Sequence, residues 1–312
     1  MKQEEILAVV QKSDHSIGFY RVADGAELSR IPTERYPHEF AVSPDGDSFY
    51  ISEYGVQSSA SEELGGNQVA MFDVVERRVL GRISCGEFRR PHGIVCDRAG
   101  VLYVLCEASN HLLIKRDPRM GGAFKEAYPT GGEKGHMLAV KRDGSRAFFM
   151  NINSQTVTTI DLKAGADVAP ETVCDGKWPE GFCFNRDESL LYVANRGGGD
   201  ILVIDTVRLK QVGVIRSRPV PLRMTTDRHG RIICVHFGED RTVSVINPES
   251  GEEEFSFEPP AAAVFAGLDG DGRRAVFSLQ NDTVQIYNTE SWVCETTFDT
   301  RAEPDVAAFV RV

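Results

Sequence analysis

The chain has 312 residues, a net charge of -11 and a pI near 5.2; no stripe of Lys and Arg is available to meet a phosphate backbone, so nucleic acid is not the expected partner. Its start, MKQEEILAVVQKSD, holds a five-residue apolar run, too short for the hydrophobic region of a signal peptide. No later run approaches a membrane span, which predicts a cytoplasmic protein with no membrane partner.

In chain order, EILAVVQKSDHSIGFYRVADGAELSRI (residues 5–31) reads as three strands separated by turns. A fuller unit opens at Pro37 with PHEFAVSPDGDSFYISEYG: a polar residue after proline, an alternating strand, an Asp-Gly turn and a returning strand. NQVAMFDVVERRVLGRIS then supplies two more strands. The unit returns as PHGIVCDRAGVLYVLCEAS from Pro91, GHMLAVKRDGSRAFFMNIN from Gly135, PEGFCFNRDESLLYVANRG from Pro179 and PLRMTTDRHGRIICVHFGE from Pro221. AVFAGLDGDGRRAVFSLQN from Ala263 is a weakened sixth copy, and PDVAAFV from Pro304 matches a first strand alone. The second residues of the six copies, at 38, 92, 136, 180, 222 and 264, are spaced by 54, 44, 44, 42 and 42, and the insertion VQSSASEELGGN (56–67) accounts for most of the longer first interval.

Four short strands in every period of about 40 to 45 residues, with almost no helical periodicity, are the signature of a β-propeller. The lone final strand completes the three N-terminal ones. The expected fold is therefore all-β, a seven-bladed β-propeller forming one domain over residues 1–312. Its ring is closed where the C-terminal strand joins the N-terminal strands in one blade, which removes open sheet edges. Seven cysteines (85, 96, 106, 174, 183, 234, 294) form no CxxC pair and mostly lie in the apolar runs, so they read as reduced, buried small hydrophobes.

The segments AVSPDG, YVAN, NRGGGDILVIDT and NSQTVTTIDL resemble the YVTN-repeat, lactonase-like seven-bladed β-propellers, over essentially the whole chain. The resemblance implies that the first strand of each blade lines a central channel and that the second strand returns to the same mouth. It leaves activity open, since such propellers include lactone hydrolases, lyases, redox proteins and binding scaffolds.

On that frame each blade offers an opening residue on strand one and a closing residue on strand two. Counted from the turn glycine, or Glu188 in its place, the opening row is His38, His92, His136, Glu180, Leu222 and Val264, joined by Asp305, and in the closing row by Gln11, through alignment of the split blade. The closing row is Glu53, Glu107, Asn151, Asn195, Phe237, Leu279 and Gln11. Three imidazoles and a carboxylate in successive blades are the donor types that hold a borderline divalent metal such as zinc, iron or manganese. The expectation is that His38, His92, His136 and Glu180 converge on one such ion, with Asp305 as a fifth ligand or a base and Glu180 and Asp305 as the catalytic carboxylates. Glu53 and Glu107 are then expected to accept hydrogen bonds from the far nitrogens of His38 and His92, with Asn151 and Asn195 continuing this supporting row. Arg196 and Arg223 are expected to clamp an acidic group of a small-molecule substrate. Leu222, Phe237 and Val264 form an apolar wall, His236 is a further substrate contact or points into the sheet, and the 56–67 insertion is a lid. His15, His111 and His229 read as surface-turn residues, and the glycines at 197–199 precede no helix and so form no phosphate cradle.

The expected function is that of a metal-dependent hydrolase, lactonase-like, acting on a small anionic molecule at the channel mouth, with a lyase or isomerase close behind. Two other readings stay open. One is a metal-free site in which a single His is the general base and the carboxylates set its pKa; the other is a non-catalytic scaffold binding a protein or peptide.

Overall fold

Short apolar runs such as ILAVV become strands buried on both faces, because each blade is sandwiched between two others. The computed structural model describes residues 5–165 and 168–311. Its strands form seven sheets, one per blade. Blade 1 combines Glu5–Gln11, Ser16–Arg21 and Glu27–Pro32 with the C-terminal strand Pro304–Arg311, which runs antiparallel to the first. Blades 2 to 7 open at Pro37, Pro91, Gly135, Pro179, Pro221 and Ala263, each running from the channel outwards in four antiparallel strands. A two-residue strand, Gly122–Ala123, adds a parallel fifth member to the rim of blade 2. The ring closure expected from the repeat is present.

Seven apolar clusters fill the seven wedges between neighbouring blades. Alternation does the sorting: Ile6, Ala8 and Val10 face blade 2, whereas Leu7 and Val9 face blade 7, as a period of two requires. All seven cysteines are free thiols, and four of them are buried.

Two backbone devices deliver side chains to the channel mouth. The residue before strand one adopts a left-handed conformation in six blades, at Tyr36, Arg90, Lys134, Trp178, Val220 and Glu303, with φ between 51° and 56°. Such geometry is costly for a side chain with a Cβ, about 1–2 kcal/mol each, and is sustained here by the surrounding sheets. Register then shifts just after the opening proline, between Pro37 and Phe40 or Pro91 and Ile94 for example. A bulge of this kind re-aims the next side chain, here the opening row.

The turns between strands one and two come in two lengths. Blades 2, 4, 5 and 7 close four-residue turns, with Ser43, Lys141, Asn185 and Asp269 bonded to the carbonyls of Ser48, Arg146, Leu190 and Arg274. Blades 3 and 6 close three-residue turns, with Asp97 bonded to Val101 and Asp227 to Arg231. Counting from the glycine therefore overshoots by one in those two blades. Their true closing residues are Cys106 and His236, paired with Pro91 and Pro221, while Glu53, Asn151 and Asn195 keep the expected pairing.

Candidate functional site at the channel mouth

The opening row meets at one mouth, under a cavity of about 460 Å³. His38, His136, Glu180, Asp305, Leu222 and Val264 line this cavity as expected, with Arg196, Arg223 and Phe237. His92 lies beneath it, wholly buried. Its ring is sandwiched between His38 and His136, with centroids 4.2 and 3.8 Å away, and neither ring nitrogen has a hydrogen-bond partner. Burial first, then the neighbouring His136 and His38, holds its pKa well below the ordinary imidazole value.

The outer histidines are each backed by a carboxylate. His136 Nδ1 lies 2.6 Å from Glu107 Oε2, and Tyr54 donates to Glu107 Oε1 at 2.8 Å. Burial pushes the Glu107 carboxyl up, but the His136 contact and the Tyr54 hydroxyl outweigh it and leave the pKa below the usual value. His38 Nδ1 is 3.0 Å from Asp305 Oδ2, though out of line for a hydrogen bond. Burial also opposes ionisation of Asp305, and His38, Lys12 and Arg223 together reverse it, so its pKa is depressed.

Several expectations are corrected by this geometry. The expected four ligands do not meet at one point. Among the described residues, the metal-sized groups are two trios sharing His92: His38 with Glu39, and Glu107 with His136, each with its ligand atoms within 4.8 Å of one another. Glu180 instead accepts from Arg196 at 2.8 Å, with one oxygen 3.7 Å from His136 Nε2. Glu107 stands behind His136, not His92: strand two of blade 3 ends at Cys106, and Glu107 opens a turn of 3-10 helix, Glu107–Ser109. Glu53 does not reach His38; its carboxylate takes Arg82 Nε at 3.0 Å and the Glu34 N–H at 3.1 Å. Asn151 is spent on Thr158 within its own blade, and Asn195 on Asp200 and the Lys177 N–H. Asn151 and Asn195 turn towards their own third strands and Glu53 towards the fourth, so none of the three supports the opening row.

His236 is not a substrate contact. It is fully buried, with its nitrogens 3.2 Å from Pro219 O and Ser244 Oγ. Arg223 is not free to clamp an acid, since it crosses the channel to donate to Glu39 Oε1 at 2.5 Å. His15, His111 and His229 make turn contacts, to Lys12 O, Ser109 O and Glu290.

The residues that reach the mouth from beyond strand two follow a simple rule: they come one position after the closing residue, and of them the sequence reading missed Lys12, Tyr54 and Gln280. This later row is Lys12, Tyr54, Glu107, Ile152, Arg196, Phe237 and Gln280. In six blades its backbone N–H bonds to the residue before strand one, as from Glu107 to Arg90 or Phe237 to Val220. Lys12, Arg196, Phe237 and Gln280 line the cavity, and Tyr54 sets its edge against the rings of both His38 and His92. Glu39, directly after His38, was the other omission. The insertion contributes Gln57, Ser58 and Ser59 to the cavity and is pinned by Arg90, which donates to the carbonyls of Ser61 and Glu63, and by Lys134, which donates to that of Ser59. A larger cleft of about 600 Å³ opens at the opposite mouth, but it is lined by turns whose Arg142 and Arg228 pair with Glu188 and Glu290.

Solved structures share this architecture at low identity. A Pseudomonas aeruginosa periplasmic gluconolactonase is 14% identical with a TM-score of 0.77, covering 98% of this chain and 99% of that one. A Bacteroides uniformis protein designated a candidate 6-phosphogluconolactonase is 12% identical with a TM-score of 0.80, covering 99% of this chain and 100% of that one. The dihydro-heme d1 dehydrogenase NirN is 16% identical with a TM-score of 0.65, covering 97% and 74%. Lactonase and dehydrogenase thus occur on one scaffold, and the likeness is one of fold. No family model matches the chain, and no curated protein matches its sequence. Among the described residues no helix is long and apolar enough to cross a membrane; with a periplasmic protein among the neighbours, the fold does not decide the compartment.

Proposed function

We propose that this chain is a hydrolase that opens a small anionic lactone or ester at the channel mouth, assisted by one divalent cation held by His92, Glu107 and His136. The observation that carries the reading is His92, buried with both nitrogens unpartnered between two imidazoles and within reach of two carboxylates. An orphaned buried polar group costs about 1–3 kcal/mol. A cation is a fitting partner, because the depressed pKa leaves this imidazole neutral and its lone pair free. Two imidazoles and a carboxylate suit zinc, iron or manganese. The lactonase names borne by two fold neighbours favour hydrolysis over elimination or isomerisation.

When bound, the cation would polarise the substrate carbonyl and acidify a water. The protein's own groups do the rest. Lys12 and Arg196 face the anionic group, and Leu222, Phe237 and Val264 take the carbon skeleton. His38 accepts a proton from the attacking water, and the ionised Asp305 beside it stabilises the imidazolium. Water oxygen bonds to the carbonyl carbon, the ring C–O bond breaks, and His38 returns the proton to the departing alkoxide, giving a hydroxy acid. Gln57, Ser58 and Ser59 cover the cavity and limit access of bulk water.

The test is metal content of protein purified without tag or chelator, together with proton release from a panel of sugar lactones with and without a phosphate group. About one ion per chain is expected, and His92→Ala should lose most of it along with turnover. A parent without metal whose lactone turnover survives His92→Ala rejects the reading.

A further inference from the structure

Two trios meet at His92, and they are built alike: a histidine and a glutamate on each side. The proposed function uses one of them, and the present inference rests on that reading. What distinguishes the two sides is the charge already in place. On the His38 side, Arg223 from blade 6 reaches across the channel and donates through Nη2 to Glu39 at 2.5 Å, while its Nη1 lies 2.8 Å from the Met137 sulfur. The arginine is 10% exposed and Glu39 11%. Burial disfavours the charged guanidinium, yet Glu39, Asp305 and Glu180 more than hold it charged.

The other side has no such occupant. Glu107 receives the neutral Tyr54 hydroxyl and faces His136. The nearby guanidinium of Arg90 is 3.9 Å from Oε1, and it is committed to the insertion's carbonyls. A dication beside Glu39 would meet the full charge of Arg223 in a space with little water to screen it. One beside Glu107 would meet a carboxylate whose guanidinium neighbour, Arg90, stands off at 3.9 Å and is not hydrogen bonded to it as Arg223 is to Glu39.

We infer that Arg223 is a built-in cation: its guanidinium fills the His38–Glu39 side of His92, so that one of two matched divalent sites is closed and the centre takes a single ion at Glu107 and His136. The inference assigns Arg223 a role unlike the substrate clamp expected from sequence. It also predicts that a two-metal centre lies one substitution away, with His92, shared by both trios, giving up its remaining N–H proton to solvent and bridging the two ions as an imidazolate.

The experiment counts ions. Chelator-stripped protein is dialysed against zinc(II) and, separately, manganese(II), and bound metal per folded chain is measured. One ion is expected in the parent, two in Arg223→Met, and one in both Arg223→Lys and the double variant Glu39→Gln/Arg223→Met. Arg223→Met leaves Glu39 buried without a counter-charge, so its melting temperature should fall without metal and rise with zinc by more than the parent's does. One ion in a natively folded Arg223→Met overturns the inference and leaves the single-site reading standing; two ions in the parent overturn both. A variant that stays unfolded with saturating zinc overturns it as well, since zinc should replace the missing charge. No bound ion of either kind in the parent removes the cation reading itself, and this inference with it.

Discussion

Blades 3 and 6 share a three-residue turn, and in each the residue one past the closing position stands at the channel mouth, held by the same backbone bond as its counterparts in blades 4, 5 and 7. In blade 3 that residue is Glu107, which backs His136. In blade 6 it is Phe237, which lies under the Arg196 guanidinium at 5.7 Å and lines the apolar wall. Their closing positions are filled by the buried Cys106 and His236. Backbone geometry is matched and chemistry is opposite: the side chain one position past the closing residue decides whether the blade adds to the histidine cluster or to the apolar wall.

The largest expected effect separates these two residues. Glu107→Gln keeps the volume but removes the charge that faces His136, and loss of such a partner or ligand typically costs 10–100-fold or more in metal affinity. Bound zinc should weaken by about 100-fold and turnover should fall with it. Phe237→Ala should leave metal content unchanged and raise KM by about 10-fold, roughly 1.4 kcal/mol of lost contact, with kcat nearly intact. Equal effects of the two on metal binding would erase the distinction.

A smaller effect tests the closing row itself. If Glu53 supported His38, as its position suggested, Glu53→Gln would damage the site. The structure ties Glu53 to Arg82 and the Glu34 N–H instead, so metal content and turnover should not change. Burial raises the Glu53 pKa, against the pull of the Glu34 N–H and Arg82. The folded chain therefore holds this proton more tightly than the unfolded one, and stability is lost as pH rises from the ordinary value of 4.5 through the raised one. Gln has no proton to lose, so the variant should not share this loss. Urea unfolding at about pH 4 and pH 7 should show a difference of about 1 kcal/mol or less, because Arg82 is a third exposed and water screens the pair.

The seven blades and the opening row were legible because both are local. A proline, a polar residue, an alternating strand and an Asp-Gly turn recur within 19 residues, and ring closure follows from the unmatched final strand. The closing row was only partly legible. The glycine stands third in the four-residue turn Pro44–Asp47 but last in the three-residue turn Arg98–Gly100, so one count could not fit both. A local signal existed: in GVLYV the strand begins at once after the glycine, whereas GDSFYI inserts a polar residue first. Nothing local reveals that Arg223 reaches Glu39, 184 positions away. That contact is made by the channel, which brings blades 2 and 6 face to face, and a repeat alignment has no term for it. Tyr54 and Lys12 were overlooked for a simpler reason, as they lie one residue beyond the row that was read.

The smallest expected effect is the sharpest test of what fixes Glu107. Inserting Asp between Gly100 and Val101 would give blade 3 a four-residue turn like that of blade 2. Strand two should not slip in response. Leu102, Val104 and Cys106 pack towards blade 2, and Tyr103 and Leu105 towards blade 4; a one-residue slip would exchange the two sets and bury each against the wrong neighbour. The added residue is therefore absorbed at the tip. What it disturbs is the Asp97 carboxylate, which accepts the Ala99 and Val101 N–H groups at 2.9 Å each, a loss of about 1 kcal/mol, while the longer loop itself costs little. Melting temperature should fall by only a few degrees, and zinc binding should match the parent's. If zinc binding instead weakens as it does in Glu107→Gln, the turn rather than the buried alternation sets the position of Glu107, and the two blades with short turns are matched by strain rather than by packing.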